Sequence, residues 1–104
     1  YLTVQGRLGM PEDGEMKAVR IRVSGSVQGV GFRYYTHRLA VSLGLEGYVR
    51  NVSDGSVEAV VQGNAEMVDL FLEKIAKGPP GSRVRGIRVS DLPPSCYDGF
   101  NVRL

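Results

Sequence analysis

A glycine-rich segment that ends in an arginine is the most chemically suggestive stretch of the sequence. It covers residues 25–33 and reads Gly-Ser-Val-Gln-Gly-Val-Gly-Phe-Arg. Gly29 and Gly31 permit a tight, concave backbone whose amide groups converge, and such a backbone binds anions. Arg33 follows closely, and its guanidinium can close over a bound anion with two parallel hydrogen bonds. A glycine-rich turn without any ligand is equally compatible with this composition.

The segment does not match the common nucleotide-binding motifs. A P-loop requires Gly-Lys-Ser or Gly-Lys-Thr, whereas here Arg33 follows Phe32 and the segment contains no lysine. The dinucleotide fingerprint would require a third glycine at position 34, which is Tyr34. The pattern therefore indicates an anion site of another kind, or a structural turn.

Asn51 is the second residue of interest, because it lies just before Asp54-Gly55, a dipeptide typical of hairpin turns. One interpretation is that Asn51 caps or widens the hairpin. The other uses its amide, which can both donate and accept hydrogen bonds, to hold a water molecule beside a bound phosphate.

Hydrophobic periodicity predicts the elements that position these residues. Alternating or strand-like apolar runs cover residues 19–23, 48–52, 57–62, 84–89 and 100–104. Apolar residues recur at helical steps after Phe32 and after Asn64, and these helices end near Gly44 and Gly78. The order βαββαβ plus a short terminal strand predicts an α+β fold. The predicted fold is a ferredoxin-like split βαβ sandwich, with a mainly antiparallel sheet and two helices on one face.

This topology has a consequence for the site. In a split βαβ unit the first two strands run parallel with the third between them, so both end at the same edge of the sheet. Two strand spacings separate these ends by about 9 to 10 Å. We therefore expect the glycine-rich turn and Asn51 to converge.

Length and composition limit the classes of function. A chain of 104 residues fits one domain. We expect residues 1–16 to form a flexible N-terminal tail and residues 17–104 to form the domain. The single cysteine, Cys96, excludes an intramolecular disulfide, which fits a reducing, cytoplasmic location. No apolar run approaches the roughly 20 residues that span a bilayer.

The charge distribution favours an anionic ligand. The net charge is only +2, and ten of the 13 basic residues are arginine. Guanidinium groups suit planar arrangements of oxygen acceptors. The positive excess is too small to indicate a nucleic-acid-binding protein.

Two stretches resemble the signature motifs of acylphosphatases. They read Gly25-x-Val-Gln-Gly-Val-Gly-Phe-Arg33 and Gly47-Tyr-Val-x-Asn51-x-x-Asp54-Gly55-x-Val57. They occur in the expected order, and the similarity in element order extends from about residue 17 to residue 104. The resemblance implies an enzyme that hydrolyses the carboxyl-phosphate bond of an acyl phosphate by in-line attack of water. It implies no metal, no cofactor and no covalent enzyme intermediate.

The same resemblance implies the site residues and the ligands. Arg33 corresponds to the family's phosphate-binding arginine and Asn51 to its water-orienting asparagine, so both are expected to be catalytic. The backbone phosphate cradle corresponds to Ser26, Val27, Gln28, Gly29, Val30, Gly31 and Phe32. The expected ligands are a small-molecule acyl phosphate and inorganic phosphate, the latter as product and competing ligand. We expect a monomer that binds neither nucleic acid nor a membrane.

Other functions are less well supported by the sequence. A cysteine phosphatase needs an arginine six positions after its cysteine, and Val102 occupies that position relative to Cys96. His37 is the only histidine and has no neighbouring residue that would indicate a metal site. Residues 33–38 mix bases with aromatics, as RNA-binding proteins do, but the predicted strand 57–62 lacks the aromatics of that class. The alternative is a non-catalytic phosphate-binding or accessory domain related to the N-terminal domain of carbamoyl-transferring hydrogenase maturation proteins.

Overall fold

The computed structural model describes residues 15–29 and 31–104. These residues form, in chain order, β1 (Met16–Ser26), α1 (Phe32–Ser42), β2 (Glu46–Asn51), β3 (Val57–Asn64), α2 (Ala65–Lys77), β4 (Arg83–Asp91) and β5 (Phe100–Arg103). The predicted order and fold class are confirmed. Residues 1–14 of the predicted tail lie outside the described residues, and β1 begins at Met16, one residue before the predicted start of the domain.

The sheet places the C-terminal ends of β1 and β2 at the same end of its strands. Its strand order is β4-β1-β3-β2-β5. Because β3 pairs antiparallel with both β1 and β2, these two strands run parallel, as predicted. The terminal strand β5 lies at the sheet edge and pairs parallel with β2. The turn after β1 and the hairpin after β2 therefore occupy the same end of the molecule.

The core lies between the sheet and the two helices. Strand alternation directs Val19, Ile21 and Val23 into this core, where they are buried. Helix α1 contributes residues such as Phe32, and helix α2 residues such as Phe71. Both helices thus cover one face of the sheet, and they fix the direction in which α1 leaves the glycine-rich turn.

The two helices begin in different ways. Helix α2 is capped by the Asn64 side chain, which accepts hydrogen bonds from the backbone N–H groups of Glu66 at 2.9 Å and Met67 at 3.4 Å. The N-cap residue of α1 is Gly31, which has no side chain to cap the helix. The first amide groups of α1 are therefore left for another partner. Within the described residues, no helix combines the length and apolar character needed to cross a membrane.

The sheet face opposite the helices carries a buried carboxylate among arginines. Glu58 accepts a hydrogen bond from Nε of Arg50 at 2.6 Å, and it lies 3.5 Å from Nε of Arg20 and 3.9 Å from Nη2 of Arg22. The three arginine side chains are between 39% and 49% exposed, whereas that of Glu58 is 7% exposed. One carboxylate therefore balances several positive charges across three neighbouring strands.

We expect Glu58→Gln to lower the free energy of unfolding by about 1 to 3 kcal/mol. The change keeps the shape of the side chain but leaves the arginines to repel one another, and their partial exposure limits the cost. Urea denaturation at pH 7 measures the difference. Asp69→Asn is the control, since it breaks an exposed ion pair with Lys17 and is expected to cost about 0.5 kcal/mol or less. Equal losses in the two variants would contradict a structural role for Glu58.

Candidate active site

A cavity of about 390 Å³ opens at the end of the sheet where β1 and β2 terminate. It is lined by Val27, Gly29, Gly31, Phe32, Arg33, Tyr34, Asn51, Val102 and Leu104. The glycine-rich turn, the start of α1, the end of β2 and the end of β5 therefore share one concave surface. Of the predicted site residues, Ser26 and Gln28 do not line this cavity, and Val30 lies outside the described residues.

The backbone of the turn has the conformation that the glycines were predicted to allow. The φ angles are 77° at Gly29 and 75° at Gly31, in the left-handed region. A Cβ atom at either position would meet nothing within 4 Å, so the backbone angle rather than lack of space requires glycine here. The first turn of α1 also contains no acidic residue. Its amide groups and the positive end of its dipole are thus available to an anion.

Two buried side chains fix the ends of the turn. Val27 is fully buried and Phe32 is 2% exposed. The hydroxyl of Thr36, itself buried, donates to the carbonyl of Phe32 at 2.8 Å. Between these two anchors, Gln28, Gly29 and Gly31 are exposed to the solvent. The predicted cradle is therefore anchored in the core at both ends.

The Gln28 side chain ties the turn to the β2–β3 hairpin. Its amide nitrogen donates to the carbonyls of Val52 at 2.8 Å and of Ser56 at 2.9 Å. From the sequence, Gln28 was expected to contribute only its backbone, and this side-chain link was not predicted. No local sequence signal could have revealed this link, because the two carbonyls lie 24 and 28 residues after Gln28 in the chain.

Arg33 is half-buried at the start of α1 and has one fixed contact. Its Nη1 donates to the carbonyl of Arg103 in β5 at 3.0 Å. In the part of the chain that the structure describes, Arg33 forms no ion pair, so its charge is not neutralised by a carboxylate. A guanidinium has five N–H donors, and those not directed at β5 can bind an anion. The contribution of β5 was also missed by sequence analysis.

Asn51 ends β2 and pairs with Val57 of β3. It shares a sheet face with Gly47 and Val49, as predicted from strand alternation, and its half-buried side chain lines the cavity. Among the described residues, no side-chain hydrogen bond involves its carboxamide. The amide is therefore free to bind a water molecule or a ligand.

The hairpin that follows Asn51 is stabilised by Asp54. Its carboxylate accepts hydrogen bonds from the hydroxyl of Ser56 at 2.6 Å and from the Ser56 backbone N–H at 2.9 Å. The hydroxyl bond is the main reason that the pKa of Asp54 lies below its ordinary value of 3.8. Because this pKa is lowered in the folded chain, its stabilising contribution is present above pH 3.8 and is lost as the pH falls through the lowered pKa.

The two other residues considered for chemistry lie elsewhere. Cys96 is an exposed free thiol. The ring of His37 packs beside that of Phe100 with centroids 6.1 Å apart. Across residues 15–29 and 31–104, no group of three or more His, Cys, Asp or Glu side chains is placed to hold a metal ion. Neither residue contributes to the cavity.

The chain is similar to known proteins over most of its length. The sequence profile of the acylphosphatase family matches residues 19–102. A relative named acylphosphatase from Thermotoga maritima is 48% identical over 88 residues, which cover 85% of this chain and 98% of the relative. The structure of an acylphosphatase from Coxiella burnetii superposes with a TM-score of 0.83 at 31% identity, and the match covers 92% of this chain and all of that one.

A further similarity bears on the alternative of an accessory domain. The structure of HypF from T. kodakarensis matches with a TM-score of 0.72 and 40% identity, over 83% of this chain but only 12% of HypF. The accessory-domain interpretation is therefore less supported than the enzymatic one, because the relatives named acylphosphatase are matched over nearly their whole length. From the profile, the relatives and the shared fold, the chain belongs to the acylphosphatase family of hydrolases.

Proposed function

We propose that the cavity at the ends of β1 and β2 binds the phosphoryl group of an acyl phosphate and that Asn51 orients the attacking water. The observation that supports this most directly is that Gly29, Gly31, Arg33 and Asn51 line one cavity. The backbone amides of residues 26–32, Val30 included, would surround the phosphoryl oxygens. Arg33 would donate to the same oxygens from the first turn of α1.

The amide donors, Arg33 and Asn51 supply the charge stabilisation and the positioning of water that the reaction needs. A carboxylate is a good leaving group, so the enzyme mainly has to position the water and stabilise the charge on the phosphoryl oxygens. Fixed amide donors and a guanidinium do this without reorganising during the reaction. The anchoring of Val27 and Phe32 in the core keeps these donors in place.

The proposed step is an in-line displacement. The water oxygen bonds to phosphorus as the bond between phosphorus and the acyl oxygen breaks, and the carboxylate departs on the opposite side. The carboxamide of Asn51 is too weak a base to deprotonate water, so it orients the nucleophile. A phosphoryl oxygen of the substrate takes the proton. The products are a carboxylate and orthophosphate.

We also propose that the chain acts as a cytoplasmic monomer without a metal ion. One chain supplies the glycine-rich turn, Arg33 and Asn51, so a second copy adds nothing to the site. The donors described above perform the charge stabilisation that a metal ion provides in other phosphoryl-transfer enzymes. The exposed thiol of Cys96 suits a reducing compartment.

Hydrolysis of benzoyl phosphate tests the proposal. The loss of its ultraviolet absorbance is followed with and without added orthophosphate. We expect turnover in the presence of a chelator and competitive inhibition by orthophosphate. Binding of orthophosphate without turnover would instead support the accessory-domain interpretation.

Arg33→Ala is expected to lower kcat/KM for benzoyl phosphate by more than about a hundredfold. Each charge-assisted hydrogen bond contributes about 1.5 to 3 kcal/mol, and two are lost. Arg33→Lys keeps the charge but not the planar fork, so its activity should lie between those of the parent and the alanine variant. Circular dichroism checks that both variants fold. Activity of Arg33→Ala within tenfold of the parent would contradict the assignment.

Asn51→Ala is expected to lower kcat strongly while the affinity for orthophosphate changes by less than about threefold. An orienting amide acts on the transition state rather than on the bound phosphoryl group. Steady-state kinetics and calorimetric titration with orthophosphate separate the two effects. Weaker phosphate binding with an unchanged kcat would argue against a role of Asn51 in positioning the water.

Gln28→Met is expected to weaken orthophosphate binding by about tenfold. Methionine keeps the length of the side chain but removes both hydrogen bonds to the β2–β3 hairpin, each of which contributes about 1 kcal/mol. The turn then samples conformations in which its amides no longer converge. Calorimetric titration measures the affinity. An affinity within twofold of the parent would show that the turn keeps its shape without this link.

A further inference from the structure

A second, larger cavity adjoins the one proposed to bind phosphate. Its volume is about 710 Å³, and it is an elongated groove between α1 and the segment after α2. The groove is lined by Gly31, Tyr34, Tyr35, Arg38, Leu39, Ser42, Pro79 and Pro80. Gly31 and Tyr34 line both cavities, so the two adjoin at the start of α1.

The spacing of the lining residues defines the shape of the groove. Along α1 they occur at positions 31, 34, 35, 38, 39 and 42, which is one face of a helix. The stripe spans the whole helix, about 15 Å at 1.5 Å per residue. Pro79 and Pro80 form the opposite wall. Tyr34, Tyr35 and Arg38 belong to the mixture of bases and aromatics noted in the sequence, and Tyr35 and Arg38 do not line the phosphate cavity.

The chemistry of this groove suits an apolar ligand. Its walls contain two tyrosine rings, a leucine and two prolines, and its lining includes no carboxylate. The Tyr35 hydroxyl donates to the carbonyl of Lys74 at 3.1 Å, and the guanidinium of Arg38 lies 5.5 Å from the centre of the Tyr34 ring. The first contact ties Tyr35 to α2, and the second places the Tyr34 ring beside Arg38 one turn along α1. Tyr34 is nevertheless 63% exposed, which leaves apolar surface for a ligand to cover.

The direction of the proposed reaction connects the two cavities. An in-line displacement places the leaving carboxylate opposite the water that Asn51 orients. Asn51 lines the phosphate cavity and not the groove, whereas Gly31 and Tyr34 line both. An acyl group that points away from Asn51 therefore enters the groove at Gly31 and Tyr34.

We propose that this groove binds the acyl group of the substrate and that the enzyme prefers acyl phosphates with an extended apolar acyl chain. The inference rests on the proposed function, because the phosphoryl group must occupy the adjoining cavity. Acetyl phosphate carries a single methyl group and therefore reports mainly on the phosphate cavity. The ratio of kcat/KM for a long chain to that for acetyl phosphate reports on the groove.

A series of acyl phosphates from acetyl to octanoyl tests this preference in the unmodified chain. A fully buried methylene is worth about fourfold in binding. The groove is open on one side, so we expect kcat/KM to rise about twofold with each added methylene. A flat series, with normal hydrolysis of acetyl phosphate, would overturn the inference and leave the proposed function intact. Failure to hydrolyse any member of the series would overturn both.

Ser42→Phe closes the far end of the groove with a ring, and Val41→Phe is its matched control. Both positions are exposed in the last turn of α1, but Val41 does not line the groove. We expect Ser42→Phe to lower kcat/KM for dodecanoyl phosphate, whose extended chain is long enough to reach this end, by about tenfold and to leave that for acetyl phosphate unchanged. Val41→Phe should change neither value. Equal dodecanoyl activity in the two variants would contradict binding of the acyl chain along α1.

Discussion

The hydrogen bonds from the Gln28 side chain to the carbonyls of Val52 and Ser56 join two segments that are distant in sequence and meet at one sheet edge. They can form because β3 lies between β1 and β2 and makes these strands end side by side. The core holds Val27 and Phe32, while Gln28 holds the middle of the turn from the side. These contacts link the glycine-rich turn to the hairpin that follows Asn51, and the proposed reaction requires such fixed positions.

Four of the ten arginines of the chain serve two different structural settings. The abundance of arginine in the sequence suggested an anionic ligand. Among the described residues that line the phosphate cavity, however, Arg33 is the only arginine. Arg20, Arg22 and Arg50 surround the buried Glu58 on the opposite face of the sheet. In the proposed phosphate site, the positive charge thus comes from the guanidinium of Arg33 together with the dipoles of backbone amides.

Much of the fold and part of the site were predictable from local patterns. Alternation at Val19, Ile21 and Val23 predicted β1, and the glycines at 29 and 31 predicted the left-handed turn at the start of α1. The topology then predicted that Asn51 would lie near this turn. Local patterns could not predict the hydrogen-bond partners of Gln28 and Arg33. They also could not predict the wall that Pro79 and Pro80 form beside α1. Each depends on contacts between residues far apart in sequence, and residue type alone does not specify such contacts.

The carbonyl of Arg103 that accepts from Arg33 belongs to a four-residue strand at the sheet edge. Short edge strands open locally at a lower free energy than the central strands of a sheet. When β5 frays, Arg33 loses this acceptor while β1, β3 and both helices remain folded. On warming, the guanidinium would become disordered before the domain melts, and catalytic output would decline ahead of cooperative denaturation.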